Sequence, residues 1–157
     1  MTKVKMIVFD MDGTIADLYG VNGWCEMLDN KNPAPYIEAQ PMWNMEELAT
    51  VLNCLRIMGV EVRVVTWLAK HTTPDYDKVV RVAKREWLER YDFPCDHFHG
   101  VAFGSTKANS VRRYLAENET AILIDDNAKV REGWHLGEAI NPTEIDIVEY
   151  LKGLLNQ

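Results

Sequence analysis

The chain has 157 residues, 47% of them apolar and 26% charged, with a net charge of −7. That is the profile of one globular domain with enough chain to bury a single core, not of a disordered or fibrous protein. The acidity makes it a poor candidate for coating nucleic acid, which relies on clustered Lys and Arg; a small anionic substrate needs only a few local positive groups or a metal ion.

Residues Val4 to Phe9 are apolar and β-branched and end abruptly at Asp10-Met11-Asp12-Gly13, which predicts a buried first strand. Residues 16–43 hold Gly20, Gly23, Pro33, Pro35 and Pro41 and read as a loop, with one short helix around Trp24 to Leu28. Asn44, with Glu47 three residues on, is a capping-box-like start. Leu48, Val51, Leu52, Leu55 and Met58 then recur at helical spacing, and Gly59 is the stop. Val60 to Thr66 predicts a second strand. Asp75 to Tyr91 predicts a long helix with an apolar stripe of Val79, Val80, Ala83, Trp87 and Leu88. Phe98 to Phe103 is a weaker strand, and Lys107 to Ala116 a helix capped by Ser105 or Thr106. Thr120 to Ile124 is a strand ending at Asp125-Asp126-Asn127, Glu138 to Ile140 a short one, and Thr143 caps a last helix to about Leu155.

Strands alternating with helices, several of them continuous apolar runs, predict an α/β fold: a Rossmann-like parallel sheet of five strands with helices on both faces. The chain reads as one domain over 1–157, with residues 16–43 as a small flap or cap insertion. Working residues in such folds sit beyond the carboxyl ends of the strands. Asp10 and Asp12, Thr66, and Asp125 and Asp126 occupy three such ends, and Lys107 opens the helix after a further strand. Four carboxylates on one edge repel each other unless something positive sits among them. Magnesium, with octahedral oxygen coordination, is the natural answer. Asp10 supplies one ligand; a main-chain carbonyl near Asp12 and an acid from Asp125-Asp126 supply others.

Cys25, Cys54 and Cys95 form no CxxC pair, so neither a disulfide framework nor a zinc site is expected, and reduced cysteines fit a cytoplasmic protein. The apolar run Met6 to Phe9 is too short for a signal peptide core or a membrane span.

The segment Asp10-Met11-Asp12-Gly13-Thr14 resembles the first signature, DxDGT, of the haloacid-dehalogenase (HAD) superfamily. Thr66 after Val64-Val65 resembles the second, Lys107 the third, and Asp125-Asp126 after Ala121-Ile122-Leu123-Ile124 the fourth. Order and spacing agree from Val4 to Asn127. The resemblance implies a phosphatase in which Asp10 attacks phosphorus and Asp12 serves as acid and then base. It also implies that Thr66 donates to a phosphoryl oxygen and Lys107 neutralises charge as it builds in transfer, that Gly13, Thr14 and Trp67 bind substrate, and that Asp10, Asp12, Asp125 and Asp126 form the magnesium set. Which of Asp125 and Asp126 binds directly stays open. Trp67 and the run Phe103-Gly104-Ser105-Thr106-Lys107 further resemble the deoxyribonucleotidase-like branch, which implies a nucleotide or nucleotide-like monoester. A flap this small leaves room for a sugar phosphate or a phosphorylated polynucleotide end, or invites completion by a second subunit in a homodimer. A phosphomutase normally needs a cap to keep water from its intermediate.

Each residue also has a plainer reading. Paired Asp residues after a strand are often turn and N-cap residues. Thr66 alone is an ordinary strand residue, and Lys107, with Lys70 and Lys84 as rivals, an ordinary solvated lysine. A lysine in a first helical turn opposes the helix dipole, which an anionic partner explains. Trp24, Tyr36, Trp43 and Trp67 either stack on a base or sugar or pack the flap, and Trp43 is expected to pack. His71, His97, His99 and His135 lack metal-ligand spacing. The rival of another class is a phosphate-binding or regulatory module that turns over nothing.

Overall fold

The structure, a computed structural model, describes residues 2–157. The first strand, β1 (Lys3–Phe9), runs into a tight turn and a two-residue strand β2 (Ala16–Asp17). Two short helices follow, α1 (Trp24–Asp29) and α2 (Ala34–Glu38), where the sequence predicted one. A second short strand, β3 (Gln40–Pro41), pairs antiparallel with β2 and closes the base of this flap. Helix α3 (Met45–Ile57) starts as expected: the Asn44 side chain accepts from Glu47 N at 3.0 Å.

Strand β4 (Glu61–Trp67) leads to α4 (Pro74–Arg90), whose N-cap Thr73 accepts from Tyr76 N. Val79 is not in the α4 stripe; it is 45% exposed, and Tyr76, Val80, Ala83, Lys84, Trp87 and Leu88 form the buried face. Strand β5 (His97–Val101) precedes α5 (Lys107–Val111), which gives way to a 3-10 turn at Arg112–Tyr114 instead of running to Ala116. Strand β6 (Glu119–Ile124) is followed by α6 (Ala128–Glu132), which the sequence reading missed; Asn127 Oδ1 caps it, accepting from Lys129 N and Val130 N. Strand β7 (Ala139–Ile140) and α7 (Ile147–Leu155) end the fold. Thr143 does not cap α7, because its amide and hydroxyl both turn back to Asn141 Oδ1; Asp146 caps it instead.

The five longer-range strands pair parallel in the order β5-β4-β1-β6-β7, as the alternation of elements predicted. Side chains alternate across the sheet. Ile7, Phe9, Val62, Val64, Ile122 and Ile124 pack under α3, α4 and α7. Met6, Val8, Val65, Ala121 and Leu123 face α5 and the Trp134 indole. Both faces are covered, so β1 and β6 end in continuous buried apolar runs, residues 6–9 and 121–124. The flap packs on α4 through Leu18, Tyr36, Tyr76 and Val80. Trp43 is a packing residue, its Nε1 donating to Thr14 O at 2.7 Å. Among the described residues no helix is long and apolar enough to cross a membrane.

Candidate active site

Parallel pairing brings the polar strand ends together. Phe9 is in register with Val64 and with Ile124, so Asp10, Thr66 and Asp125 emerge side by side at the carboxyl edge of three adjacent strands. Asp10 N donates to Ile124 O at 2.9 Å, which seats the start of the turn on β6. The turn then folds back: Gly13 N donates to Ala16 O and Ala16 N to Met11 O. Gly13 has φ +79°, and a Cβ there would run into the Asp126 carboxylate, so the position requires glycine.

Asp10, Asp12, Thr66, Trp67, Lys107, Asp125 and Asp126 line one cleft of about 140 Å³, joined by Tyr19, Asn127 and Val130. Lys107 Nζ donates to Asp10 Oδ1 and to Asp125 Oδ2, both at 2.8 Å. Thr14 Oγ1 lies 3.0 Å from Asp10 Oδ2 and accepts from Asp126 N at 3.2 Å, tying the first turn to the β6–α6 loop. Asp125 Oδ1 accepts from Asn127 N at 2.9 Å. Trp67 Nε1 donates to Ser105 O at 2.9 Å, and its ring lies against Phe103, with centroids 5.1 Å apart.

Lys84, a rival to Lys107 in the sequence, is in the site as well. From the middle of α4, Nζ donates to Thr66 Oγ1 at 2.7 Å, Asp12 Oδ2 at 2.9 Å and Trp67 O at 3.0 Å. The signal for it was present: Lys84 falls on the buried helical stripe between Val80 and Leu88. Lys70 stays outside, over the Phe103 ring at 5.5 Å.

Asp10, Asp125 and Asp126 offer carboxylate oxygens within 4.8 Å of one another. The Asp12 carboxylate is not in that group; it is turned to Lys84. Four carboxylates therefore face two lysines, which leaves two negative charges in excess. Burial first, and the excess second, show in the acids. Burial, with the Asp10 charge next, pushes Asp125 up to about 6. Burial, with Asp10 and Asp125 beside it, pushes Asp126 up to about 7. Burial also raises Asp12, although Lys84 pulls the other way. For Lys107 burial opposes the charge, but Asp10 and Asp125 outweigh it and hold its pKa above the ordinary lysine range.

No protein-family model matches the chain, and no curated protein matches it. Solved structures do. A chain of the Pnkp1/Rnl/Hen1 complex matches with a TM-score of 0.57 at 15% identity, over 90% of this chain and 47% of its own length. A chain from a second structure of that assembly, described as an RNA repair complex, matches with a TM-score of 0.58 at 17% identity, over 88% of this chain and 42% of its own. A D,D-heptose 1,7-bisphosphate phosphatase from Burkholderia thailandensis has a TM-score of 0.49 at 16% identity, over 85% and 74%. At these identities the likeness to the repair-complex chains is one of fold, and this chain spans less than half their length.

Proposed function

We propose that the chain is a magnesium-dependent phosphatase of the HAD type, which hydrolyses phosphate monoesters through an aspartyl-phosphate on Asp10. The observation that carries this reading is the setting of Asp10: Oδ1 held by Lys107 and Oδ2 by Thr14, in the lining of a cleft, two residues before a second carboxylate with a lysine of its own. An Asp10 oxygen attacks phosphorus, the bond to the leaving oxygen breaks, and Asp12 gives that oxygen its proton. Asp12 then takes a proton from water, the water oxygen bonds to phosphorus, and the bond to Asp10 breaks. Lys107 spends two of its three N–H donors on Asp10 and Asp125 and keeps one for a phosphoryl oxygen.

The donor set fits magnesium: three hard carboxylate oxygens close together, with two negative charges uncompensated. Bound there, the ion supplies neutralisation of phosphoryl charge. Asp10, Asp125 and Asp126 would hold it. Asp125 already has one oxygen on Lys107 and the other on Asn127 N, whereas Asp126 Oδ2 meets no donor among the described residues and Oδ1 only the Thr14 oxygen at 3.4 Å, which favours Asp126 as the more direct ligand.

The cleft is large enough for a phosphoryl group, not for a whole nucleotide. A neighbouring cavity of about 320 Å³ shares Trp67, Lys107 and Val130 with it and adds the Trp134 indole. That supports a leaving group with a flat apolar portion, a nucleotide-like monoester. The likeness in fold to a chain of an RNA repair complex brings in a phosphorylated polynucleotide end as the second reading.

Release of inorganic phosphate from nucleotides, sugar phosphates and 3′- or 5′-phosphorylated oligonucleotides, with magnesium and with chelator, tests the proposal. Magnesium-dependent release lost in Asp10→Asn, with the circular dichroism spectrum kept, supports it. No release from any class overturns it.

A further inference from the structure

Lys84 belongs to the site but has no step of its own in the phosphatase reading. Its side chain is fully buried, and burying an ammonium is costly unless its hydrogen bonds are met. All three of its donors are spent inside the protein, on Asp12 Oδ2, Thr66 Oγ1 and Trp67 O. None is left for a phosphoryl oxygen, in contrast to Lys107. Tyr36 of the flap lies over the ammonium, its ring centroid 4.8 Å from Nζ.

The three bonds have directional consequences. Thr66 Oγ1 accepts from Lys84, so the hydroxyl hydrogen must point elsewhere. Its one protein acceptor among the described residues is Trp67 O at 3.5 Å, at the limit for a hydrogen bond, and Thr66 lines the cleft. On Asp12, Lys84 holds Oδ2, and Oδ1 has no partner among the described residues and is not sealed from solvent. One oxygen is anchored and the other is left free in a residue that lines the cleft.

We infer that Lys84 is a positioning residue: by anchoring one oxygen of Asp12 it aims the free oxygen at the leaving group. The inference rests on the phosphatase reading. Lys84 takes no proton and touches no substrate.

The test compares two monoesters with unlike leaving groups, glycerol 3-phosphate and p-nitrophenyl phosphate. An alkoxide needs the Asp12 proton to leave; a nitrophenolate scarcely does. In Lys84→Met, kcat/KM for glycerol phosphate should fall about 100-fold or more, and for p-nitrophenyl phosphate about 10-fold or less. Competitive inhibition by inorganic phosphate should stay within about 3-fold, because binding does not involve Lys84. Equal losses on both esters, or a matching loss of phosphate inhibition, would overturn the inference and leave Lys84 as framework or as a phosphate ligand. Should Lys84→Met not fold, Asp12→Asn/Lys84→Met removes both charges of the pair. Its selectivity between the two esters should equal that of Asp12→Asn alone, and a further change would also refute the inference. A wild-type protein that hydrolyses neither ester, nor any of the wider panel, fails the phosphatase reading itself.

Discussion

Lys107 and Asp10 are 97 residues apart in the chain and 2.8 Å apart in space, and the same ammonium reaches Asp125 at 2.8 Å. A single cation thus joins the ends of β1 and β6 and offsets part of the charge that the cleft concentrates.

Lys107→Met removes that cation and leaves two buried carboxylates facing each other. The folded state should lose about 3 kcal/mol, the cost of breaking a buried pair by deleting one partner. Turnover should fall about 100-fold or more. Thermal unfolding and phosphate release check the two effects separately. A melting temperature equal to wild type in chelator would show that the pair contributes nothing to stability.

Gly13→Ala should weaken divalent binding about 10- to 100-fold, the range for residues that orient metal ligands. The new methyl would collide with the Asp126 carboxylate and stand 2.9 Å from Tyr19 Cε2, at a φ of +79° that alanine adopts with strain. Titration calorimetry with magnesium reads the loss. Unchanged affinity would mean that Asp126 is not a ligand.

Stability in chelator should fall as the pH rises from about 4 to about 7. Burial and the neighbouring carboxylates push Asp125 up to about 6 and Asp126 up to about 7 in the folded state, above the ordinary aspartate value. The native protein therefore holds more protons than the unfolded chain in that window, and ∂ΔG/∂pH is negative there. Burial opposes ionisation of Asp96, but its Arg56 and Val62 N partners prevail and lower it, which contributes the opposite slope below about pH 5, with or without metal. Magnesium selects the ionised acids, so its stabilisation should grow with pH and proton release should accompany binding. Parallel melting curves across that range, with and without magnesium, would rule out the acid cluster as its site.

Asp146→Ala should cost about 1 kcal/mol and Thr143→Ala much less, because Asp146 Oδ1 accepts from Val148 N and Glu149 N at the start of α7. Urea denaturation of the two variants decides. Equal losses would return the cap to Thr143.

Periodicity in the chain was sufficient for the sheet, for α3 with its Asn44 cap and for the polar strand ends, because side-chain alternation and helical spacing are local properties. It missed α6, whose five residues are too few to show a period, and placed the α7 cap three residues early, because the Asn141–Thr143 turn competes for the same groups. The motifs named Asp10, Asp12, Thr66, Lys107, Asp125 and Asp126, and the fold brings all of them to one cleft. What only the tertiary structure decided is how they are paired. Lys84 with Asp12, Lys107 with Asp10, and Thr14 with Asp126 are separated by 72, 97 and 112 residues. Such partners depend on the strand order β5-β4-β1-β6-β7 and on how deeply α4 is packed against the sheet. A lysine on an apolar helical stripe is compatible with a solvated head or with a buried anion; only close packing of distant segments determines which, and here the anion is Asp12.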